Sequence, residues 1–327
     1  MALVLSGAVL LTAGVRLTRV ADRLADRTGM GEALTGAVLL GAVTSLPGLV
    51  TTTLGAASGD AGFAVSNAMG GIAAQTAFLA LADLTYRRVN LEHAAASIPN
   101  LTQTMILVSL IGIVLGASGG PELTVAGVHP ATGLLVAVYV YGLVLTRRAR
   151  EQPMWRAMHT PDTVPDVEME DDGTPTASLW RWFAGLGLVV GGTGWVVGAA
   201  GLSIADRTGL SGSLVGAVFT SVVTSVPELV TVLAAVRIGA LTLAVGDIIG
   251  GYTFDVLFVA VADLAFRGGS VYHAANEQAV FLVSITVVLT ATLAAGMLGR
   301  EKRHIGFEGV GILVFYALGV AGLVALG

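Results

Sequence analysis

Residues 26–95 and 206–275 are two copies of one segment. Asp26-Arg-Thr-Gly29 recurs as Asp206-Arg-Thr-Gly209, and the register then holds without a gap as far as Ala95 and Ala275. Thr44-Ser-Leu-Pro47 lies over Thr224-Ser-Val-Pro227, Gly70-Gly71 over Gly250-Gly251, and Ala82-Asp-Leu84 over Ala262-Asp-Leu264. Roughly two positions in five are identical, far more than shared hydrophobicity gives, so the chain is a duplicated unit. Whatever one copy folds into, the other must fold into as well.

Composition says what that unit is. Of 327 residues, 54% are hydrophobic and only 12% charged, with mean hydropathy +0.82. That leaves too little polar surface to cover a soluble globule, and the expected class is an all-α polytopic membrane protein in a lipid bilayer. Apolar runs of about 20 residues give about ten transmembrane helices, centred near Leu10, Leu40, Phe78, Leu107, Val138, Leu188, Val222, Leu257, Val287 and Phe315. The first run, from Ala2, lacks a basic flank and a convincing cleavage site, so it reads as a retained span. Pro47 and Pro227 fall in mid-span on the second and seventh helices, and glycines are expected to interrupt the third and eighth, with Gly70, Gly71, Gly250 and Gly251 also read as allowing close backbone approach.

Residues 1–146 form the expected first five-helix repeat, 147–178 a hydrophilic linker, and 179–327 the second repeat, with the duplicated cores at about 31–85 and 211–265. The linker, rich in Pro, Asp and Glu, reads as a solvated tether. Five is odd, so the second copy enters the membrane from the opposite side and the repeats are inverted. Arginines agree: alternating helices collect nearly all of them, including Arg27, Arg87 and the linker arginines, on one face and leave Arg207 and Arg267 on the other. This asymmetry expects a prokaryotic plasma (inner) membrane protein with a cytoplasmic linker and both termini outside. Inverted repeats with interrupted helices at matching positions point to a secondary transporter whose site lies between the halves.

Several functions are disfavoured by the same residues. Cysteine is absent, which removes disulfides, thiolate zinc sites and thiol catalysis. Five histidines are scattered without metal-ligand spacing, and no nucleophile–base pair lies at membrane depth, so neither an enzyme nor a bound cofactor is expected. Net charge is −5 and the basic residues are dispersed, which argues against a nucleic-acid partner.

Glu228 and Asp247 lie in sequence apolar enough to be embedded. An ionisable group there costs several kcal/mol unless it meets a cavity, a partner or an ion. Each stands beside a helix breaker, and a proline that removes a helical hydrogen bond leaves a carbonyl free to bind a hard cation. A cation site is therefore expected. Asp255, opposite Gln75 in the repeat, reads as a helix-packing hydrogen bond, an interfacial position or a proton-relay member. Asp83 and Asp263 read as local pairs with Arg87 and Arg267, and His93 and His273 as interfacial.

Thr224-Ser-Val-Pro-Glu228 with Gly246-Asp-Ile-Ile-Gly250, and Thr44-Ser-Leu-Pro47 with Asn67-Ala-Met-Gly70, resemble the two α-repeats of the calcium/cation antiporter superfamily, which includes sodium/calcium exchangers. The resemblance implies ten helices, with an ion site built from the second, third, seventh and eighth. It implies carboxylate ligands from Glu228 and Asp247, an amide oxygen from Asn67, and hydroxyl or backbone oxygens from Thr44, Ser45, Thr224 and Ser225. The implied function is exchange of Ca2+ against Na+ or H+, with these cations as substrates. Departures from the family pattern are Gly48 where one central glutamate is usual, Phe63 and Leu243 where small hydroxyl residues are usual, and Gly71 and Gly251 in place of serine. They imply lost accessory sodium sites. They keep open a monovalent cation/proton antiporter and a non-transporting ion-sensing relative.

Overall fold

The computed structural model describes residues 1–28, 44–85, 97–151, 174–238, 241–298 and 306–327. The first helix covers 2–28 and contains a π-helical turn at Leu10–Gly14. The second is Leu46–Ala57, the third Ala61–Thr85, the fourth Ile98–Gly119, the fifth Pro130–Glu151 and the sixth Thr176–Thr208. The seventh runs as Gly212–Thr224 and then Val226–Ile238, and the eighth as Leu241–Asp255 and then Leu257–Ala265. Glu277–Leu298 and Phe307–Leu326 are the ninth and tenth. Eight stretches among the described residues are long and apolar enough to cross a membrane, and Leu46–Ala57 and Gly212–Thr224 are shorter apolar helices.

Large apolar side chains stand outward, among them Leu188, Trp182 and Val324, an arrangement suited to lipid and unsuited to water. The interior is instead made of small residues. The third helix, Ala- and Gly-rich, is almost wholly buried along its length. A Cβ added at Gly70 would come within 2.7 Å of the Ala217 backbone on the seventh helix, so glycine is what allows this close approach.

The two halves exchange equivalent contacts. A Cβ at Gly14, on the first helix, would lie 2.8 Å from Pro227 on the seventh, and one at Gly194, on the sixth, would lie 2.6 Å from the Pro47 carbonyl on the second. Gly14 and Gly194 are repeat equivalents, as are Pro47 and Pro227. Reciprocal contact of this kind is the signature of two-fold pseudosymmetry, and the chain is two inverted five-helix repeats.

The helix breaks differ in part from expectation. The seventh breaks as Pro227 requires, at Ser225 (φ −91°, ψ 6°), and Leu46–Ala57 starts at the equivalent turn, Ser45 (φ −80°, ψ −5°), each two residues before its proline; the residues before Thr44 lie outside the described ones. Pro47 and Pro227 then occupy the first turn of the following segment, where a missing N–H is harmless. The third helix, expected to be interrupted by glycine, is continuous over 25 residues, and Gly70 serves close packing instead. The eighth breaks at Val256, directly after Asp255, and not at Gly250-Gly251.

Asp263 also differs. It is buried, and its carboxylate accepts from the backbone N–H groups of His129 (2.8 Å) and Val271 (3.0 Å) and from the Thr132 hydroxyl (2.6 Å). These bonds tie the loop before the fifth helix to the end of the eighth, while Arg267 is exposed. No ion pair joins Asp263 to Arg267, because buried backbone donors take the carboxylate first. His273 is half-buried, with Nε2 against the Gly120 carbonyl at 3.0 Å. His93 and Arg87 lie outside the described residues.

Candidate cation site between the repeats

The two broken helices meet around a cavity of about 10 Å³, room for one water molecule or one bare cation. The first repeat supplies Ser45 and Gly48 from its helix break and Asn67 and Gln75 from the third helix. The second supplies Thr224, Ser225 and Glu228 from its break and Asp255 from the eighth helix. Of the residues expected from sequence, Ser45, Asn67, Thr224, Ser225 and Glu228 are thus brought together. Thr44 is buried next to the break but does not line the cavity. Asp247 is carried by Leu241–Asp255, but its side chain lies outside what the structure describes, as does that of Leu243.

Glu228 is only 8% exposed and sits in the first turn of Val226–Ile238. There the unpaired N–H groups of the helix start and its dipole favour negative charge. Proline two positions after the break therefore does two jobs: it opens the ladder and it begins the helix that carries the carboxylate.

Asn67 is held on three sides. Its amide nitrogen donates to the Thr52 hydroxyl (2.9 Å) and the Gly48 carbonyl (3.3 Å), and its oxygen accepts from the Thr220 hydroxyl (2.6 Å). This network fixes which face of the amide is oxygen and links the third helix to the second and the seventh. Its oxygen remains an acceptor with a second lone pair.

Gln75 and Asp255 are repeat equivalents, and they touch one another. Gln75 Nε2 donates to Asp255 Oδ2 (3.0 Å) and to Ser225 Oγ (3.2 Å). Across the pseudo-two-fold axis, Ser45 faces Asp255 as Ser225 faces Gln75. Of the roles expected for Asp255, a packing hydrogen bond, an interfacial position or a relay member, the structure shows the packing bond, and it also sets the buried residue on the cavity wall. Its signal in the sequence is that the repeat holds glutamine at 75 and aspartate at 255, the same neutral-to-acidic change as Asn67 to Asp247.

The departures have physical consequences as well. A Cβ at Gly48 would lie 2.9 Å from the ring of Phe258, so that ring occupies the space a longer side chain would enter. Phe63 is fully buried, wedged against Gly55 of the second helix and Gly201 of the sixth. Among the described residues, no group of three or more His, Cys, Asp or Glu side chains is clustered as a resident metal site.

Inverted repeats whose paired helix breaks enclose a buried polar cavity define a membrane transporter fold. The family model described as sodium/calcium exchanger protein matches residues 1–149 and 177–325, and the chain belongs to this family of cation antiporters. The chain is 27% identical over 307 residues to a protein of Alkalimonas amylolytica named as the antiporter CaxA, covering 92% of each. Its fold is similar to that of the sodium–calcium exchanger NCX_Mj. For crystals soaked with 2.5 mM Na+ and 1 mM Sr2+ the TM-score is 0.64 at 18% identity, covering 98% of this chain and 96% of the other. For those soaked with 10 mM Na+ and zero Ca2+ it is 0.61 at 20% identity, covering 98% and 97%. The protein is therefore an integral membrane protein of a transporter family, and not of an enzyme family.

Proposed function

We propose that this antiporter exchanges Ca2+ against Na+ or H+ by alternating access to the cavity between the repeats. Glu228 and Asp247 would bind the ion as carboxylates, with oxygens from Asn67, Thr44, Ser45, Thr224 and Ser225. The observation that carries the reading is the position of Glu228, buried at a helix start on the wall of a cation-sized cavity between two proline-linked breaks. Hard cations take oxygen ligands of these kinds. The named function of the NCX_Mj relatives supports the same ion class.

Access would change by movement of the first and sixth helices over the core. They cross the breaks through glycine, Gly14 on Pro227 and Gly194 on Pro47, with no side chain to lock the crossing. One ion must leave before its competitor binds, because both need the same carboxylates. The arginine asymmetry supports a plasma-membrane orientation with the linker cytoplasmic and the termini outside.

Ca2+ flux into proteoliposomes, driven in turn by an outward Na+ and an outward H+ gradient, tests this. Glu228→Gln should reduce either flux by about 100-fold, since it removes a buried charge worth roughly 3 kcal/mol to the ion. Equal flux from correctly inserted Glu228→Gln protein would sink the site. A monovalent cation/proton antiporter is the second reading, favoured by Gly48 under the Phe258 ring, which withholds a carboxylate. Na+-dependent proton movement indifferent to Ca2+ would select it.

A further inference from the structure

Gly48 and an acid of the other repeat, Asp255, line the same cavity. Gly48 brings no side chain, and the Phe258 ring lies where one would begin. Asp255, from the other repeat, lines that cavity with its carboxylate 2% exposed. Gln75 donates to Asp255 Oδ2, so the amide orients the carboxylate. Ser45 faces the Asp255 carboxylate at the cavity, and neither Ser45 Oγ nor Asp255 Oδ1 has a hydrogen bond of ordinary distance and angle. A buried carboxylate oxygen and a buried hydroxyl left in this condition are costly unless an additional partner completes them. The break at Val256 immediately follows, so the carboxylate is carried on the last residue of a helical segment and can adjust without bending a continuous helix.

We propose that Asp255 is a cation ligand of this transporter, opposite Glu228, standing in for the carboxylate that Gly48 withholds. The ligand is a hard, oxygen-seeking divalent cation, bound by Asp255 in addition to Glu228 and Asp247 and by the Ser45 and Ser225 hydroxyls. Gln75 is a positioning residue that holds Asp255 toward the cavity. The proposal rests on the cation-exchange reading above and adds a residue that the exchanger motifs do not include.

Equilibrium binding of Ca2+ to the purified full chain, followed by flux in proteoliposomes, separates the two. Asp255→Asn keeps the size and the hydrogen bond to Gln75 but removes the charge, and should weaken Ca2+ binding about tenfold or more. The exchanged double variant, Gln75→Asp with Asp255→Gln, keeps one carboxylate and one amide across the same bond and should recover binding to within about threefold of wild type. A structural role alone predicts that Asp255→Asn binds Ca2+ as wild type does while Glu228→Gln does not; that result overturns this proposal and leaves the exchange reading standing. If Asp255→Asn fails to fold, the exchanged variant decides: wild-type-like binding supports the proposal, and binding lost from a folded exchanged variant overturns it. Wild-type protein that binds no Ca2+ overturns both.

Discussion

The two repeats share a backbone and divide the chemistry unequally. Each has a serine turn two residues before a proline, a glycine on a crossing helix packed against that proline, and a polar residue on the helix that follows. At the cavity, however, the first repeat offers Ser45, Gly48, Asn67 and Gln75, all neutral, whereas Glu228 and Asp255 from the second are acidic. Duplication fixed the geometry twice, because it depends on proline and glycine, which act through the backbone. Charge was free to gather on one side, because a cation between two halves responds to the sum of its ligands and not to which half supplies them. A neutral first half also spares the closed state a further buried charge, which inside a membrane is costly.

If this division is real, returning charge to the first repeat should be the most damaging change. Asn67→Asp would set a carboxylate against the Gly48 carbonyl where an amide N–H now donates, and leave the Thr52 hydroxyl as its only remaining donor on that side. A loss of about 3 kcal/mol is expected, seen as a lower thermal unfolding midpoint in detergent, with Asn67→Gln or Asn67→Ala less severe. An unchanged midpoint would mean that the first repeat carries no penalty for charge.

The crossing glycines offer a smaller and more graded contrast. Gly194→Ala drives its new methyl into Pro47 backbone at 2.6 Å, which cannot move away, whereas Gly14→Ala meets the Pro227 ring at 2.8 Å, which can yield. Gly194→Ala should cost roughly 1–3 kcal/mol and slow flux, and Gly14→Ala should cost less. The reverse order would show that the Pro227 crossing, not the Pro47 crossing, is the tighter. Smallest of all is Gly48→Ala, whose Cβ meets only the Phe258 ring edge at 2.9 Å. Rotation of that ring should keep the loss below about 1 kcal/mol. Gly48→Glu would need Phe258→Ala beside it to fold as well as wild type, and the pair of variants compared by unfolding midpoint checks this.

Much of this was legible in the chain itself. Membrane embedding follows from hydropathy, and inversion from five helices per copy. The breaks near residues 45 and 225 follow from Pro47 and Pro227, because an absent N–H interrupts a helix in any surroundings. Glu228 was legible for a related reason: a carboxylate beside a proline in apolar sequence has few explanations. Asp263 was misjudged, because sequence spacing sees the arginine four residues on and cannot see the His129 and Val271 backbone donors brought from elsewhere. In the third helix glycine was read both as an interruption and as a means of close backbone approach, which leave the same mark in a sequence; Gly70 does the second only.

What the sequence determined by itself, then, was what covalent geometry and transfer energy carry: the helices, the breaks beside the prolines, the duplication and the buried Glu228 next to one of those breaks. Tertiary structure alone decided which polar residues share a cavity. Gln75 lies 150 positions from Ser225 and 180 from Asp255, yet it donates to both within 3.2 Å. Their meeting depends on where the pseudo-two-fold axis passes, and an axis is a property of two packed halves. No local stretch of either half contains it.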